Sequence, residues 1–209
     1  MHAGVRLPSC SAVENAARTA DHLARLSQRG DDLRVKLAEL LPGSAPFVWE
    51  VGSGHGHFLT AFAQAHPEEL FIGIDVILER IERANRKRNR ARLDRLHFVR
   101  AEARLFLESL PVAATFKAIY VLFPDPWPKR RHHKHRLMQP DFLSLVAGRA
   151  GEGARLYFRT DHEPYFQDVE AAVRQHAQWK IVEESWPFEM RTVFQERAES
   201  YRSLVAVRV

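Results

Sequence analysis

The chain has 209 residues, 45% of them hydrophobic, which suits one α/β domain with a sizeable core. Its formal charge of +5 implies only that anions are attracted at long range. A single cysteine, Cys10, excludes an internal disulfide and a cysteine zinc site and fits a reducing cytoplasm, while no run approaches the ~18 apolar residues of a membrane span.

Residues 1–30 are expected to form a mobile amino-terminal arm with no secretory signal, since Glu14 and Asp21 fall where an apolar stretch would be needed. Residues 31–209 are expected to form one domain. A helix is predicted over Asp31 to Leu41, where Leu33, Leu37, Leu40 and Leu41 recur at helical spacing before Pro42-Gly43. From Phe47 short apolar runs alternate with helical segments. FVWEV leads into a glycine turn and a helix ending at Ala65, and LFIGID into a helix over Ile77 to Arg90. LHFVR precedes a helix over Glu102 to Leu110, FKAIYVLF one over Gln139 to Gly148, and ARLYFRT one over Glu163 to His176. This βαβα rhythm predicts a doubly wound, mostly parallel sheet with helices on both faces. No helix separates WKIVEE from SLVAVRV, so these two strands are predicted to pair antiparallel at one edge.

The first strand ends in EVGSGHG, Glu50 to Gly56. Gly52, Gly54 and Gly56 let the backbone turn sharply and approach a ligand closely. Their spacing is GxGxG, with His57 where a dinucleotide fingerprint would carry its third glycine. Glu50 would repel a pyrophosphate and attract a cation, and S-adenosylmethionine carries both an ammonium and a sulfonium. Asp75, at the tip of the second strand, can accept from both ribose hydroxyls, and Glu102, after the third, suits an adenine amino group. A nicotinamide-binding domain is the competing reading of the turn, and an acid after a strand is also what a helix N-cap looks like.

After the fourth strand comes FPDPWPKRRHHKHR, Phe123 to Arg136. Pro124 and Pro126 fix φ on either side of Asp125 and bias the residues before them toward extended geometry. That would hold the Asp125 carboxylate at the carboxyl edge of the sheet, although such a turn can equally just end a strand. Lys129, Arg130, Arg131, Lys134 and Arg136 then follow with no acid among them, and a second basic stretch runs from Glu82 to Arg95. Charge runs are commonly just solvated faces, but two such surfaces suit a phosphate backbone. His132, His133 and His135 are not expected to bind a metal, because their neighbours are cations.

With these motifs in place, the stretch from Val48 to Arg197 resembles the bacterial tRNA (guanine-N7)-methyltransferases. The likeness is carried by EVGSGHG, GID, FPDPWPKRRHHKHR, the set Thr160, Asp161 and Tyr165, and TVFQER at Thr192 to Arg197. It implies a seven-stranded Rossmann-like methyltransferase sheet with an antiparallel edge, S-adenosylmethionine as cofactor, and methylation of a variable-loop guanine, position 46 of tRNA. It further implies cofactor contacts from Glu50, Gly52, Gly54, Gly56, Asp75, Glu102 and Asp125, with Asp125 also catalytic. Substrate contacts would come from Lys129, Arg131, His132, Lys134, Arg136, Asp161, Thr192, Phe194 and Gln195. A soluble cytoplasmic monomer or weak homodimer is the matching expectation. This sequence departs from the family pattern at Pro128, usually histidine, at Glu102, usually aspartate or asparagine, and at Gln195, usually glutamate. The alternatives are a small-molecule methyltransferase of the same fold and a tRNA-binding protein without catalysis.

Overall fold

The computed structural model describes residues 27–43, 45–190 and 200–209. Helix α1 covers 27–40, so residues 27–30, expected in the arm, are its first turn. The elements that follow are β1 (Phe47–Val51), α2 (His57–Ala65), β2 (Phe71–Asp75), α3 (Leu78–Ala91), β3 (Leu96–Arg100), α4 (Ala103–Ser109) and β4 (Phe116–Leu122). A 3-10 turn at Arg130–His135 then leads to α5 (Pro140–Ala147), β5 (Ala150–Thr160), α6 (Glu163–Gln175), β6 (Trp179–Val182) and β7 (Arg202–Arg208).

The seven strands lie in the order β3-β2-β1-β4-β5-β7-β6. Contacts among β3, β2, β1, β4 and β5 are all parallel. β7 runs antiparallel to both β5 and β6. The expected antiparallel pair therefore exists, but β7 is inserted between β5 and β6, and it alone reverses the sheet. Winding outward from β1 in one direction and from β4 in the other puts the topological switch point between these two strands, where such sheets bind ligands at the carboxyl ends.

Strand periodicity divides the core into two faces. On one face Trp49 is stacked between Phe106, at 5.1 Å, and Phe116, at 4.9 Å. Leu33, Leu37 and Leu41, Phe142 and Val146 of α5, and Tyr165 and Val169 of α6 complete that cluster. The opposite face is covered by Phe58, Leu59 and Phe62 of α2 and by Ile81 and Ala84 of α3. Among the described residues two helices, α2 and α3, lie on it, and the chain after β6 covers more of it: Phe188 stacks on Phe62 at 4.8 Å, and Trp186 meets Tyr157 edge-on at 5.2 Å. At about 1.5–3 kcal/mol for each large side chain buried, these aromatics fix the sheet and, through it, the relative positions of its strand ends.

Candidate active site at the carboxyl edge

Register sets four strand ends side by side. Glu50 lies opposite Gly73 on β2 and Tyr120 on β4, and Asp75 lies opposite Arg100 on β3. Glu50 shares the face of Val48 and is 4% exposed, and its Oε2 has no hydrogen-bond partner. Burial, and secondarily the Asp75 charge, push its carboxyl up to about 8. An unpaired buried acid costs free energy until a cation or donor meets it.

The three glycines beyond Glu50 have different reasons for being glycine. All have positive φ, at +75° for Gly52, +53° for Gly54 and +69° for Gly56. A Cβ on Gly52 or Gly54 would meet nothing within 4 Å, so the space above them is open. One on Gly56 would stand 2.5 Å from the Phe98 ring and 2.8 Å from the Ala84 methyl. Gly56 is thus required for packing the start of α2 against β3 and α3, a reason for glycine separate from any cofactor contact. Gly73, which sequence reasoning passed over, has the same reason: its Cβ would come within 2.8 Å of Phe98 and 2.9 Å of Ser53. Lys87 Nζ of α3 donates to the His55 carbonyl at 3.0 Å, tying the turn down from outside.

The acids after β2 and β3 already hold backbone groups. Asp75 accepts from Gly54 N–H at 3.1 Å and Ile77 N–H at 2.8 Å, linking the glycine turn to the start of α3. Glu102 caps α4, with Oε2 accepting from Arg104 and Leu105 N–H at 2.9 and 3.0 Å. The cap interpretation weighed for an acid after a strand is therefore realised at Glu102. At β5, by contrast, α6 is capped by His162, whose Nδ1 accepts from Tyr165 N–H at 3.1 Å, and Asp161 stands exposed beside it.

The fourth strand end departs most from expectation. Phe123, although it precedes a proline, has φ of 49°, and Trp127, before Pro128, has φ of 44°. Both are left-handed, where a bulky residue is strained. The Phe123 N–H still donates to the Arg159 carbonyl at 2.8 Å, so the β4–β5 ladder holds the chain straight until it must turn within one residue. Asp125 is exposed between these two strained positions.

Arg136 holds this turn in place. It is 3% exposed, its Nε donates to the Pro126 carbonyl at 2.7 Å, and its guanidinium pairs with Asp168 and lies over the Tyr165 ring, 4.8 Å from the centroid. The expectation that Arg136 lies along RNA is corrected: a buried guanidinium tied to α6 cannot also reach a phosphate. Burial pushes the Tyr165 hydroxyl up to about 12, and Asp125 adds to that rise, so the acid lies within electrostatic range of this anchor. Lys129, Arg131 and Lys134 are exposed and His132 is half-buried. Thr192, Phe194 and Gln195, like residues 1–26, lie outside the described residues.

A second buried cation, Arg159 of β5, also escaped the sequence reading. Its guanidinium grips Glu189 with two hydrogen bonds at 2.9 and 3.2 Å, donates to Ser203 Oγ at 2.8 Å and lies 3.9 Å from the Trp186 ring. A lone charge within the apolar run LYFRT was the available signal. No comparable signal distinguished Arg136 from the cations before it.

Comparison with known proteins agrees with this arrangement. A family model described as "Putative methyltransferase" matches residues 44–202. The chain belongs to this methyltransferase family. Over 131 residues it is 39% identical to a tRNA (guanine-N(7)-)-methyltransferase of Nitrosomonas europaea, covering 63% of this chain and 58% of that protein. Over 127 residues it is 39% identical to the protein of the same name from Nocardia farcinica, covering 61% and 47%. The chain thus spans roughly half the length of these curated relatives. Among solved structures, the aminoglycoside resistance methyltransferase NpmB1 superposes with a TM-score of 0.58 at 20% identity, covering 84% of this chain and 93% of that one. NSun6 from Pyrococcus horikoshii gives 0.60 at 16% identity, covering 83% and 50%. Both show the Rossmann-like methyltransferase fold. Among the described residues no helix is long and apolar enough to cross a membrane.

Proposed function

We propose that this chain transfers a methyl group from S-adenosylmethionine to N7 of a guanine in the variable loop of tRNA. The observation that carries the reading is Glu50, whose Oε2 is buried without a hydrogen-bond partner at the β1/β4 switch point, immediately before a glycine turn with open space above Gly52 and Gly54. That donor set fits a cationic cofactor. When bound, S-adenosylmethionine supplies an electrophilic methyl on its sulfonium. The activity for which the relatives are named adds the substrate class and the reacting atom.

In this reading Glu50 and Asp75 provide negative charge for the cofactor, and Asp75 also holds the glycine turn in shape through Gly54. Guanine N7 carries a neutral lone pair, so no proton has to leave before attack, and positioning with electrostatics supplies the rate. Asp125, exposed at the tip of its turn, accepts from guanine N1–H and the exocyclic amine and directs N7 inward. Arg136 acts through the Pro126 carbonyl to keep that carboxylate in place. Lys129, Arg131 and Lys134 face the phosphates, and Asp161 with the segment of Thr192, Phe194 and Gln195 supplies further substrate contacts. Glu102 would reach adenine while capping α4. The setting is cytoplasmic, with residues 31–209 working as one catalytic domain in a monomer or weak homodimer.

The test is methylation of unmodified tRNA by purified protein with methyl-labelled cofactor, followed by mapping of the modified base. N7-methylguanine in the variable loop is expected, and Asp125→Ala should lower its formation by on the order of 100-fold or more while leaving the melting temperature unchanged. Labelled cofactor bound with no N7-methylguanine formed would sink the tRNA assignment and favour a small-molecule substrate.

A further inference from the structure

We propose that Trp127, His132 and His135 form a stacking surface for an unpaired base of the RNA, a contact that rests on the tRNA reading above. In a 3-10 helix, side chains three apart eclipse each other. The turn at Arg130–His135 therefore sorts its residues into faces: His132 and His135 share one, and Arg131 and Lys134 share the next. Trp127 packs against the first face, 5.8 Å from the His132 ring and 5.2 Å from the His135 ring, with the two imidazoles 6.2 Å apart. Three π-systems thus meet at the surface beside exposed Arg131 and Lys134.

Trp127 is 38% exposed and sits in the left-handed region at φ 44°. An indole fixed there at a backbone cost, partly open to solvent, points to use by a ligand more than to core packing. The neighbouring charge selects the occupant. Arg131 and Lys134 carry no acid within the turn, and a nucleotide offers a planar base for the aromatic face and a phosphate for the cationic one. The surface is also attached to the reaction zone. Trp127 lies two residues from Asp125, and Arg136, which ends the turn, holds the Pro126 carbonyl between them. A base stacked on Trp127 therefore enters a part of the chain anchored together with the catalytic acid.

The experiment measures tRNA affinity of the full chain at several salt concentrations. Trp127→Gly removes the ring and suits the positive φ, and Trp127→Phe restores a π-face. Trp127→Gly is expected to weaken tRNA binding about tenfold with the slope of log affinity against log salt unchanged. Trp127→Phe should recover most of that loss, and Arg131→Ala should instead flatten the slope by about one unit. In wild type, tRNA but not polyglutamate should quench the fluorescence that Trp127→Phe lacks. Affinity within twofold of wild type in Trp127→Gly overturns the proposal, as does an altered salt slope, a failed rescue by phenylalanine, or equal quenching by polyglutamate. If Trp127→Gly also loses S-adenosylmethionine binding, Trp127→Phe decides: wild-type affinity supports the surface and a tenfold loss overturns it. Wild-type protein that binds no tRNA would defeat the tRNA reading itself, whereas normal wild-type binding with an unaffected Trp127→Gly defeats only the stacking surface.

Discussion

The turns after β1 and β4 leave adjacent strands at the same edge of the sheet, yet they hold their shapes by opposite means. EVGSGHG turns because its own residues tolerate the turn: three glycines take positive φ without steric cost, and Gly56 has no room for a methyl. FPDPW turns against the preference of its residues. Phe123 and Trp127 take left-handed φ before prolines, and the conformation persists because a distant strand and a distant helix hold it, through the Arg159 carbonyl and through Arg136. A local device tolerates little change at its own residues, while an imposed one is vulnerable at residues far from it in sequence.

The sharpest way to break the first turn is Gly56→Ala, which adds a methyl 2.5 Å from the Phe98 ring to the cost of a left-handed alanine. A loss of about 3 kcal/mol is expected in denaturant unfolding, against about 1 kcal/mol for Gly54→Ala, where only the backbone term applies. Equal losses at the two positions would mean that the glycines do the same work.

Next in size is the pH dependence set by Glu50. Its folded-state carboxyl lies at about 8, above its ordinary value, so its contribution to stability is fully present below pH 4.5 and is lost as pH rises through 8. Comparing wild type with Glu50→Gln isolates this term. The substitution should remove a decline of up to a few kcal/mol between those pH values, measured by unfolding midpoints across the range. In the same window a cationic ligand should bind more tightly as pH rises, because it favours the ionised carboxylate. A pH profile identical in both proteins would show that Glu50 is not the group concerned.

The second turn is probed by Arg136→Met, which keeps apolar volume and removes the anchor. The guanidinium is buried but Asp168 is 60% exposed, so solvent screening limits the loss to about 2 kcal/mol. The informative readout is functional. Methyl transfer should fall while the salt slope of tRNA binding stays as in wild type, since no phosphate contact is removed. A slope reduced by about one unit would return Arg136 to the RNA surface.

The expectations that held and those that failed divide along the same line. Helix and strand positions were readable because apolar periodicity is a local property, and the residues of β1, β2, β3 and β4 alternate or run continuously as buried strands do. The insertion of β7 between β5 and β6 was not readable, since two neighbouring strands in sequence do not reveal which of them pairs with β5. Glu50 was readable as an acid at a strand end, because its chemistry is uncommon on a buried parallel strand. That Glu102 caps α4 was one of the readings open from the sequence, since its partners lie two and three residues on, whereas that Arg136 faces inward was not, because its partners come from distant elements.

The sequence by itself therefore determined the parallel sheet, the glycine turn and the family resemblance, through residue types whose backbone and burial preferences act over a few neighbours. Only the tertiary structure decided which member of the cationic run is an anchor, which glycine is a packing requirement and how Asp125 is presented. Those outcomes depend on contacts between residues distant in the chain, such as the 32 positions between Arg136 and Asp168, whose free energy exists only once the sheet has brought them together.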